Sequence, residues 1–287
     1  MEDRVKGSLF IIFAAFLYSF IGIFSRFAGI NAFALVFYKI ALSTFFFFLI
    51  FLFFRKKMGK LRMDWEMAEF FVPYGFIVAV TEMTFIGAYL NTGLTNTAFL
   101  NGLYPLFIII LSFFFLKEKV NSKTLLSLFI GIAGISFIVG ADLLVMFNER
   151  NLFGDVLALV SALAYAAFII CGRERAKMRI DIYYATFWSY GIAALFLLPV
   201  NLAYGTFAIP LESTIWIVIL AFICTNIAFL AFCKGFEYIE APKGGIIALS
   251  EQLFVTINAL LFFGEQLSSF IIVGAVLVCS SVLLAER

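Results

Sequence analysis

The chain has 287 residues, of which 64% are hydrophobic and only 13% are charged, and its formal net charge is +2. Soluble globular proteins are about half apolar and about a quarter charged, so this composition excludes a soluble enzyme or a secreted domain and indicates a lipid environment. The charge offers no basic surface for a nucleic acid. The sequence has no histidine and no Cys-x-x-Cys spacing, so we expect no catalytic histidine, no metal site and no cofactor.

Ten apolar segments follow one another along the chain, and a helix that crosses a bilayer needs about 20 such residues. We therefore predict an all-α integral membrane protein with ten transmembrane helices and no soluble domain between them. In chain order the predicted spans are Gly7–Arg26, Phe33–Phe54, Phe70–Leu90, Leu94–Leu116, Thr124–Val139, Leu152–Cys171, Tyr183–Ala203, Ser213–Phe232, Gly244–Gly264 and Ser269–Leu284.

Lysine and arginine are distributed unevenly among the segments that connect these spans. With the N-terminus in the cytoplasm, 17 of them fall in inner segments and two, Arg26 and Arg150, fall in outer segments. Because cytoplasmic loops of membrane proteins are enriched in these residues, both termini are predicted to be cytoplasmic. We expect the basic clusters at residues 55–62 and 173–179 to set this orientation and to contact anionic lipid.

The two halves of the chain resemble each other at a fixed offset of 147 residues. The matched pairs are Gly7 and Gly154, Tyr18 and Tyr165, Arg26 and Arg173, and Glu118 and Glu265, and a second register of 144 sets Glu82 against Asn226. We predict a five-helix repeat over residues 1–140 and a second over residues 150–287. Five is odd, so the second repeat would enter the membrane inverted, a plan that recurs in secondary transporters. Duplication for stability alone is the alternative.

Three stretches carry a resemblance to a known family. They are residues 154–166 at the start of the sixth span, Tyr104-Pro105 with residues 115–118 in the fourth, and Glu251-Gln252 with residues 263–268 and Gly274 in the ninth and tenth. On these residues the chain resembles the drug/metabolite transporter superfamily, in its ten-helix branch of paired EamA-type domains. The resemblance implies a cavity between helices one, three, four, six, eight and nine, with helices five and ten at the periphery.

One departure from the family pattern concerns the ninth helix. Gln252 stands where the family usually has a proline, whereas the fourth helix keeps its proline at Pro105. Proline inside a helix removes a backbone hydrogen bond and bends the helix, so we expect the two halves to bend unequally.

Lys39, Glu82 and Glu251 are charged residues inside spans, where charge is costly and usually functional. Lys39 and Glu82 lie about 9 and 12 Å from the outer ends of their helices, so they could pair. A structural ion pair and a cavity-facing Glu82 that meets a solute or a proton are equally supported, and the resemblance favours the second. For Glu251, which the resemblance makes a family position, a structural carboxylate that bonds a helix end is favoured. Glu118 and Glu265 are expected to precede or cap helices five and ten.

Several further polar and aromatic residues fall on shared helix faces or deep within spans, where they could line a cavity. Thr97, Asn101 and Tyr104 follow at spacings of four and three, and Tyr89 shares the face of Glu82. The candidate substrate-binding residues are Glu82, Tyr18, Tyr89, Asn101, Tyr104, Tyr165, Asn226, Ser250 and Glu251. Such a lining suits a small amphipathic solute.

The function that follows is a secondary transporter that moves a small metabolite across the inner membrane by alternating access. The resemblance makes amino acids or related amphipathic solutes the first candidates and favours export. No nucleotide-binding loop is present in the sequence, so a solute or ion gradient, including protons, would supply the energy. The partners are then a solute and membrane lipid, and the chain could act as a monomer or a homodimer. A channel or a structural membrane protein is the alternative.

Overall fold

The computed structural model describes residues 2–58, 63–92, 94–118, 120–139, 152–263 and 269–286, and within these ranges the chain is helical, without strands. The α-helices are α1 (Glu2–Tyr18), α2 (Ile21–Ala28), α3 (Ala32–Met58), α4 (Trp65–Asn91), α5 (Leu94–Asn101), α6 (Tyr104–Leu111), α7 (Ser122–Val139), α8 (Leu152–Lys177), α9 (Ile182–Tyr204), α10 (Leu211–Ile219), α11 (Ala228–Tyr238), α12 (Ala241–Ala248), α13 (Ser250–Phe263) and α14 (Ser269–Glu286). Short π-helical segments extend α6 over Ser112–Leu116 and join α10 to α11 over Leu220–Ile227.

These helices account for all ten predicted spans, and the predicted all-α membrane fold is confirmed. Nine helical stretches in the described ranges are long and apolar enough to cross a bilayer, and Ser122–Ile138 is a shorter apolar helix. Spans 1, 4, 8 and 9 each consist of more than one helix, and every other span is a single helix. The predicted ends were less accurate, because polar turns prolong the helices: α4 begins at Trp65 instead of Phe70, and α8 ends at Lys177 instead of Cys171.

Spans 4 and 9 are both interrupted near their middle. The Leu103 amide donates to the Leu100 carbonyl at 3.2 Å, and the Leu249 amide donates to the Ile246 carbonyl at 3.1 Å, so a tight turn ends one helix and begins the next in each span. Pro105 lies in the first turn of α6, where a missing amide hydrogen costs nothing. The unequal bending expected from the missing proline is not found in this pair of spans, because an i to i−3 turn needs no proline.

The halves do bend unequally, but in spans 1 and 8. Span 1 breaks at Ser19 and Phe20, whereas α8, its counterpart, is continuous. Span 8 contains the π-helical segment, in which the Thr225 hydroxyl donates to the Leu220 carbonyl five residues earlier, whereas α4, its counterpart, is continuous. Both irregular spans pack against each other through α1 and α11, and both regular ones pack through α4 and α8.

The two halves make equivalent close contacts, in which the first glycine of each half packs on a residue of the other half. A Cβ atom on Gly7 would lie 2.7 Å from Ile239, and a Cβ atom on Gly154 would lie 2.5 Å from Thr92. Ile239 follows Thr92 by the same 147 residues that separate the two glycines. Each half therefore places its first glycine on the end of the third helix of the other half.

Helices α7 and α14 pack chiefly against each other, through small residues that allow close approach. A Cβ atom on Gly131 would lie 2.7 Å from the Ser281 hydroxyl, and one on Gly134 would lie 2.8 Å from Val278. Adding 147 to the numbers of Gly131 and Gly134 gives Val278 and Ser281, so the repeat offset relates the two contacts to each other. Such reciprocal contacts are expected of two halves related by a pseudo-two-fold axis, and they support the offset of 147 residues. The inverted membrane orientation and the repeat boundaries at residues 140 and 150 stay predictions.

Candidate functional site

The two helix breaks bring polar side chains into the centre of the bundle. Asn101 ends α5 and Tyr104 begins α6, while Ser250 begins α13. Helix α6 packs against α8 and α12, and α13 packs against α1. The first turn of a helix leaves backbone amides without helical partners and carries partial positive charge. Broken helices at corresponding positions are where secondary transporters form their binding sites.

Four residues predicted to bind a solute have buried polar atoms with no hydrogen-bond partner in the described structure. These atoms are Oδ1 of Asn101, the hydroxyl of Tyr104, Oδ1 of Asn226 and Oγ of Ser250. More than nine in ten buried polar groups in proteins have a partner. A concentration of free acceptors and hydroxyls on spans 4, 8 and 9 is therefore suited to bind a polar solute.

Tyr18, Tyr104 and Tyr165 form a group of aromatic rings from spans 1, 4 and 6. The Tyr104 and Tyr165 rings meet edge to face, with centroids 4.9 Å apart. Tyr18 and Tyr165 both pack on Phe232, at 5.8 and 6.3 Å between centroids. The pairing of Tyr18 with Tyr165, which the sequence offset suggested, thus brings both tyrosines to one aromatic neighbour.

Glu251 lies in the first turn of α13, on the face that meets span 1. Phe254 and Asn258 follow it at spacings of three and seven, which is one helical face. The Phe254 ring contacts Phe16 with centroids 5.4 Å apart, and the Asn258 amide donates to the Ser19 hydroxyl at 2.8 Å. Through these contacts α13 approaches the end of α1 that carries Tyr18.

The structural bond predicted for Glu251 is not formed in the part of the chain that the structure describes. Its carboxylate has no ion pair and no hydrogen bond there to another helix end. A carboxylate in the first turn of a helix, when it is ionised, interacts favourably with the helix dipole.

Lys39 and Glu82 form the ion pair that their matched depths predicted. The Lys39 ammonium donates to both carboxylate oxygens of Glu82 at 2.9 Å. The Lys39 side chain is 8% exposed and that of Glu82 is 25% exposed.

Asn226 lies on the π-helical segment of span 8, close to the ion pair. Its amide nitrogen donates to the Ser43 carbonyl at 3.3 Å, one turn along α3 from Lys39. Tyr190 of α9 also lies in range of Glu82 and packs on Phe229, with centroids 5.1 Å apart. We did not predict Tyr190, although its depth in the seventh span matched the depth argument used for the other tyrosines. The side chain of Tyr89 lies outside the described residues, as does Glu265.

Aromatic side chains fill the bundle between this site and the predicted cytoplasmic end. The Phe168 and Phe229 centroids are 5.4 Å apart, and the Phe232 and Phe236 centroids are 4.8 Å apart. The space left among Tyr74, Phe168, Phe232 and their neighbours is about 10 Å³, at the lower limit for one ordered water. The bundle is therefore narrow at this level.

An ion-pair network joins the helix ends below the aromatic side chains. Glu118 pairs with the Arg173 guanidinium at 3.0 Å and accepts from the Ala241 amide at 2.8 Å, and Arg173 also donates to the Phe236 carbonyl. Glu118 lies in the loop that leads into helix five, as we expected, and its carboxylate also caps the start of span 9. The bond to span 9 was not predicted, because the two residues are 123 positions apart in the sequence.

The basic cluster at residues 173–179 is largely engaged within the protein. Arg175 pairs with Glu237 at 3.1 Å, and Lys177 donates to the Leu116 carbonyl at 2.9 Å. The expectation that this cluster contacts lipid is therefore wrong for Arg175, whose side chain is 3% exposed. It stays a prediction for the other basic residues of the cluster, of which Lys177 is exposed. The side chains of the other cluster, at residues 55–62, lie outside the described residues.

Known proteins resemble this chain along most of its length. A family model described as the EamA-like transporter family matches residues 5–140 and 152–286. An uncharacterized transporter of Archaeoglobus fulgidus is 29% identical over 208 residues, which are 72% of this chain and 73% of the relative. Two uncharacterized transporters of Bacillus subtilis also match: YoaV is 28% identical over 62% of this chain and 61% of its own, and YxxF is 22% identical over 96% and 88%.

A solved crystal structure supports the same fold. It matches with a TM-score of 0.84 and 16% sequence identity, over 98% of this chain and 96% of its own. The family model covers both halves of the chain, and the helices form the bundle expected of a multi-pass membrane protein. The chain belongs to the EamA-like transporter family, within the drug/metabolite transporter superfamily.

Proposed function

We propose that this transporter is a secondary carrier that moves a small metabolite, an amino acid or a related amphipathic solute, across the inner (plasma) membrane by alternating access. The observation that carries the proposal is the pair of helix breaks in spans 4 and 9. Around them lie the free polar atoms of Asn101, Tyr104 and Ser250. A transporter needs such groups at mid-membrane because the solute gives up its hydration there.

In the proposed site the aromatic and polar residues have different tasks. Tyr18, Tyr104 and Tyr165 contact the apolar body of the solute, and the free polar atoms of Asn101, Asn226 and Ser250 replace water around its polar groups. The remaining candidates are the two carboxylates, Glu82 and Glu251, together with Tyr89. The carboxylates are also the candidate sites for a coupling proton, because an apolar environment disfavours a charged carboxylate.

Alternating access requires one closed side that can open. Here the aromatic side chains around Phe232 and the network of Glu118 with Arg173 close the predicted cytoplasmic side. We propose that these contacts separate when the solute is exchanged with the cytoplasm. The reciprocal glycine contacts between the halves support two related conformations, one open to each side of the membrane. The family resemblance favours export.

Solute counterflow into proteoliposomes tests this function. Purified protein is reconstituted with an unlabelled solute inside, and uptake of the same radiolabelled solute is followed over a panel of amino acids and their derivatives. A carrier accumulates label transiently against its gradient, because each exit of an internal molecule is coupled to an entry. Equilibration without overshoot would indicate a channel, and no flux of any solute would contradict a transport function.

A further inference from the structure

Charge is unbalanced in the middle of the bundle. Of the described residues at this depth, Lys39 and Glu82 neutralise each other in a two-oxygen ion pair, while Glu251 has no cationic partner. A lone ionised carboxylate in a medium of low dielectric constant is costly. A bound solute with one net positive charge would remove this cost, whereas a zwitterion would bring a second carboxylate close to the first.

The surroundings of Glu251 also favour a cation. Helix α13, which carries Glu251 in its first turn, packs against α1, which ends at Tyr18. The rings of Tyr18 and Tyr165 share the neighbour Phe232, and Tyr165 meets Tyr104 edge to face, so rings from three different spans form one group. The negative face of an aromatic ring attracts ammonium groups, most strongly where water is excluded. The buried hydroxyls of Tyr104 and Ser250 have no partner in the described chain and can accept hydrogen bonds from an ammonium group.

We propose that Glu251 and the three tyrosines select organic monocations, such as amino-acid amides and amines, over zwitterions of the same skeleton. This inference rests on the proposed transport function and narrows its substrate class. In it the ammonium group of the solute lies beside the Glu251 carboxylate among the tyrosine rings. With the ion pair of Lys39 and Glu82 closed and Glu251 ionised, the net charge of these three side chains is one negative.

Counterflow with matched solutes tests the selectivity. Leucine, phenylalanine and serine are each compared with their amides, which differ from them by the loss of the carboxylate charge. We expect the amide to exchange at least tenfold faster than the amino acid in at least one pair. Glu251→Gln should reduce this ratio at least tenfold, which corresponds to about 1.4 kcal/mol, and Glu251→Asp should keep the preference for the amide.

Two more variants make the test independent of how well Glu251→Gln folds. Tyr18→Leu removes one of the three tyrosine rings and should lower the ratio of amide to amino-acid exchange about threefold or more, because one cation–π contact is lost. Ser280→Ala is the matched control, because Ser280 is exposed on α14 and bonds only to its own helix. Its ratio should equal that of the native protein.

The possible results separate the two proposals. Amino acids that exchange as fast as their amides, or a ratio that neither Glu251→Gln nor Tyr18→Leu changes, would overturn the monocation inference and leave the transport function intact. Exchange of neither member of any pair, while other solutes do exchange, would also overturn it. Absence of exchange for every solute of the wider panel would overturn the transport function itself.

Discussion

Removal of the charge on Glu82 should destabilise the protein, and the ion pair allows the size of the effect to be stated. Loss of one partner of a fully buried pair costs about 3–5 kcal/mol, because the other charge stays buried and alone. The Glu82 side chain is 25% exposed, and the glutamine oxygen of Glu82→Gln can still accept from Lys39. We therefore expect a loss of about 2 kcal/mol for this variant.

A double-mutant cycle with Lys39→Met measures the coupling directly. Each single variant should melt at a lower temperature in detergent than the native protein, and the double variant should recover much of the loss, because no lone charge remains. Lys6→Gln is the matched control, because it disrupts an exposed ion pair with Asp3 at 3.8 Å. Its melting temperature should equal that of the native protein. Additive losses in the double variant would refute a coupled pair.

Transport measured on the same variants decides whether Glu82 also serves the transport cycle. If Glu82 binds a proton that drives transport, Glu82→Gln protein that survives purification should lose the pH dependence of uptake. A stable Glu82→Gln protein with unchanged uptake at every pH would end both the ion-pair prediction and the proposed role in coupling.

Three further predictions follow from the packing and the charges. Gly274→Ala should lower the melting temperature, since its Cβ would lie 2.6 Å from a backbone oxygen of α7 and overpacking costs about 1–3 kcal/mol. Gly22→Ala is the control and should leave the melting temperature unchanged, because there is open space around Gly22. Equal melting temperatures of the two variants would contradict the close packing of α7 and α14. In the Arg173→Lys variant the shorter set of donors cannot bond to the Glu118 carboxylate and the carbonyls together, so the network should loosen. A membrane-permeant maleimide should then label the buried Cys233 faster than in the native protein. Unchanged labelling would show that the network does not hold the closed side. A reporter fused after Arg287 should be active on the cytoplasmic side, and a signal from the opposite side would refute the ten-span orientation.

The number and order of the helices could be predicted because apolar length alone identifies a membrane span. The break at Pro105 also left a signal, but the break at Leu249 did not, since a turn formed by one i to i−3 hydrogen bond requires no special residue. Which face of each span is buried could not be read either. Lipid and protein core are both apolar, so a sequence such as that of α3 has no polar stripe to mark its outer face.

Contacts of the candidate site could be predicted where the repeat offset or the depth in a span singled out residues. Tyr18 and Tyr165 were singled out as a matched pair, and Lys39 and Glu82 through their similar depths. The partners of Glu118 had no such signal, because they lie 55 and 123 residues away in the other half of the chain. An interaction that joins two halves depends on how the halves dock, which neither half specifies alone.

The unequal bending of the halves has a mechanical consequence. One interface between the halves joins two irregular spans, the broken span 1 and the π-helical span 8, and its counterpart joins the continuous helices α4 and α8. Helix breaks and π-helical turns are points at which a span can bend, and the one interior proline of the continuous pair is Pro73 of α4. The protein therefore has more such points in spans 1 and 8 than in spans 3 and 6. We expect its motion to be a swing of spans 1 and 8 about a nearly fixed frame of spans 3 and 6, with faster amide exchange in the moving pair, and not a symmetric rocking of two equal halves.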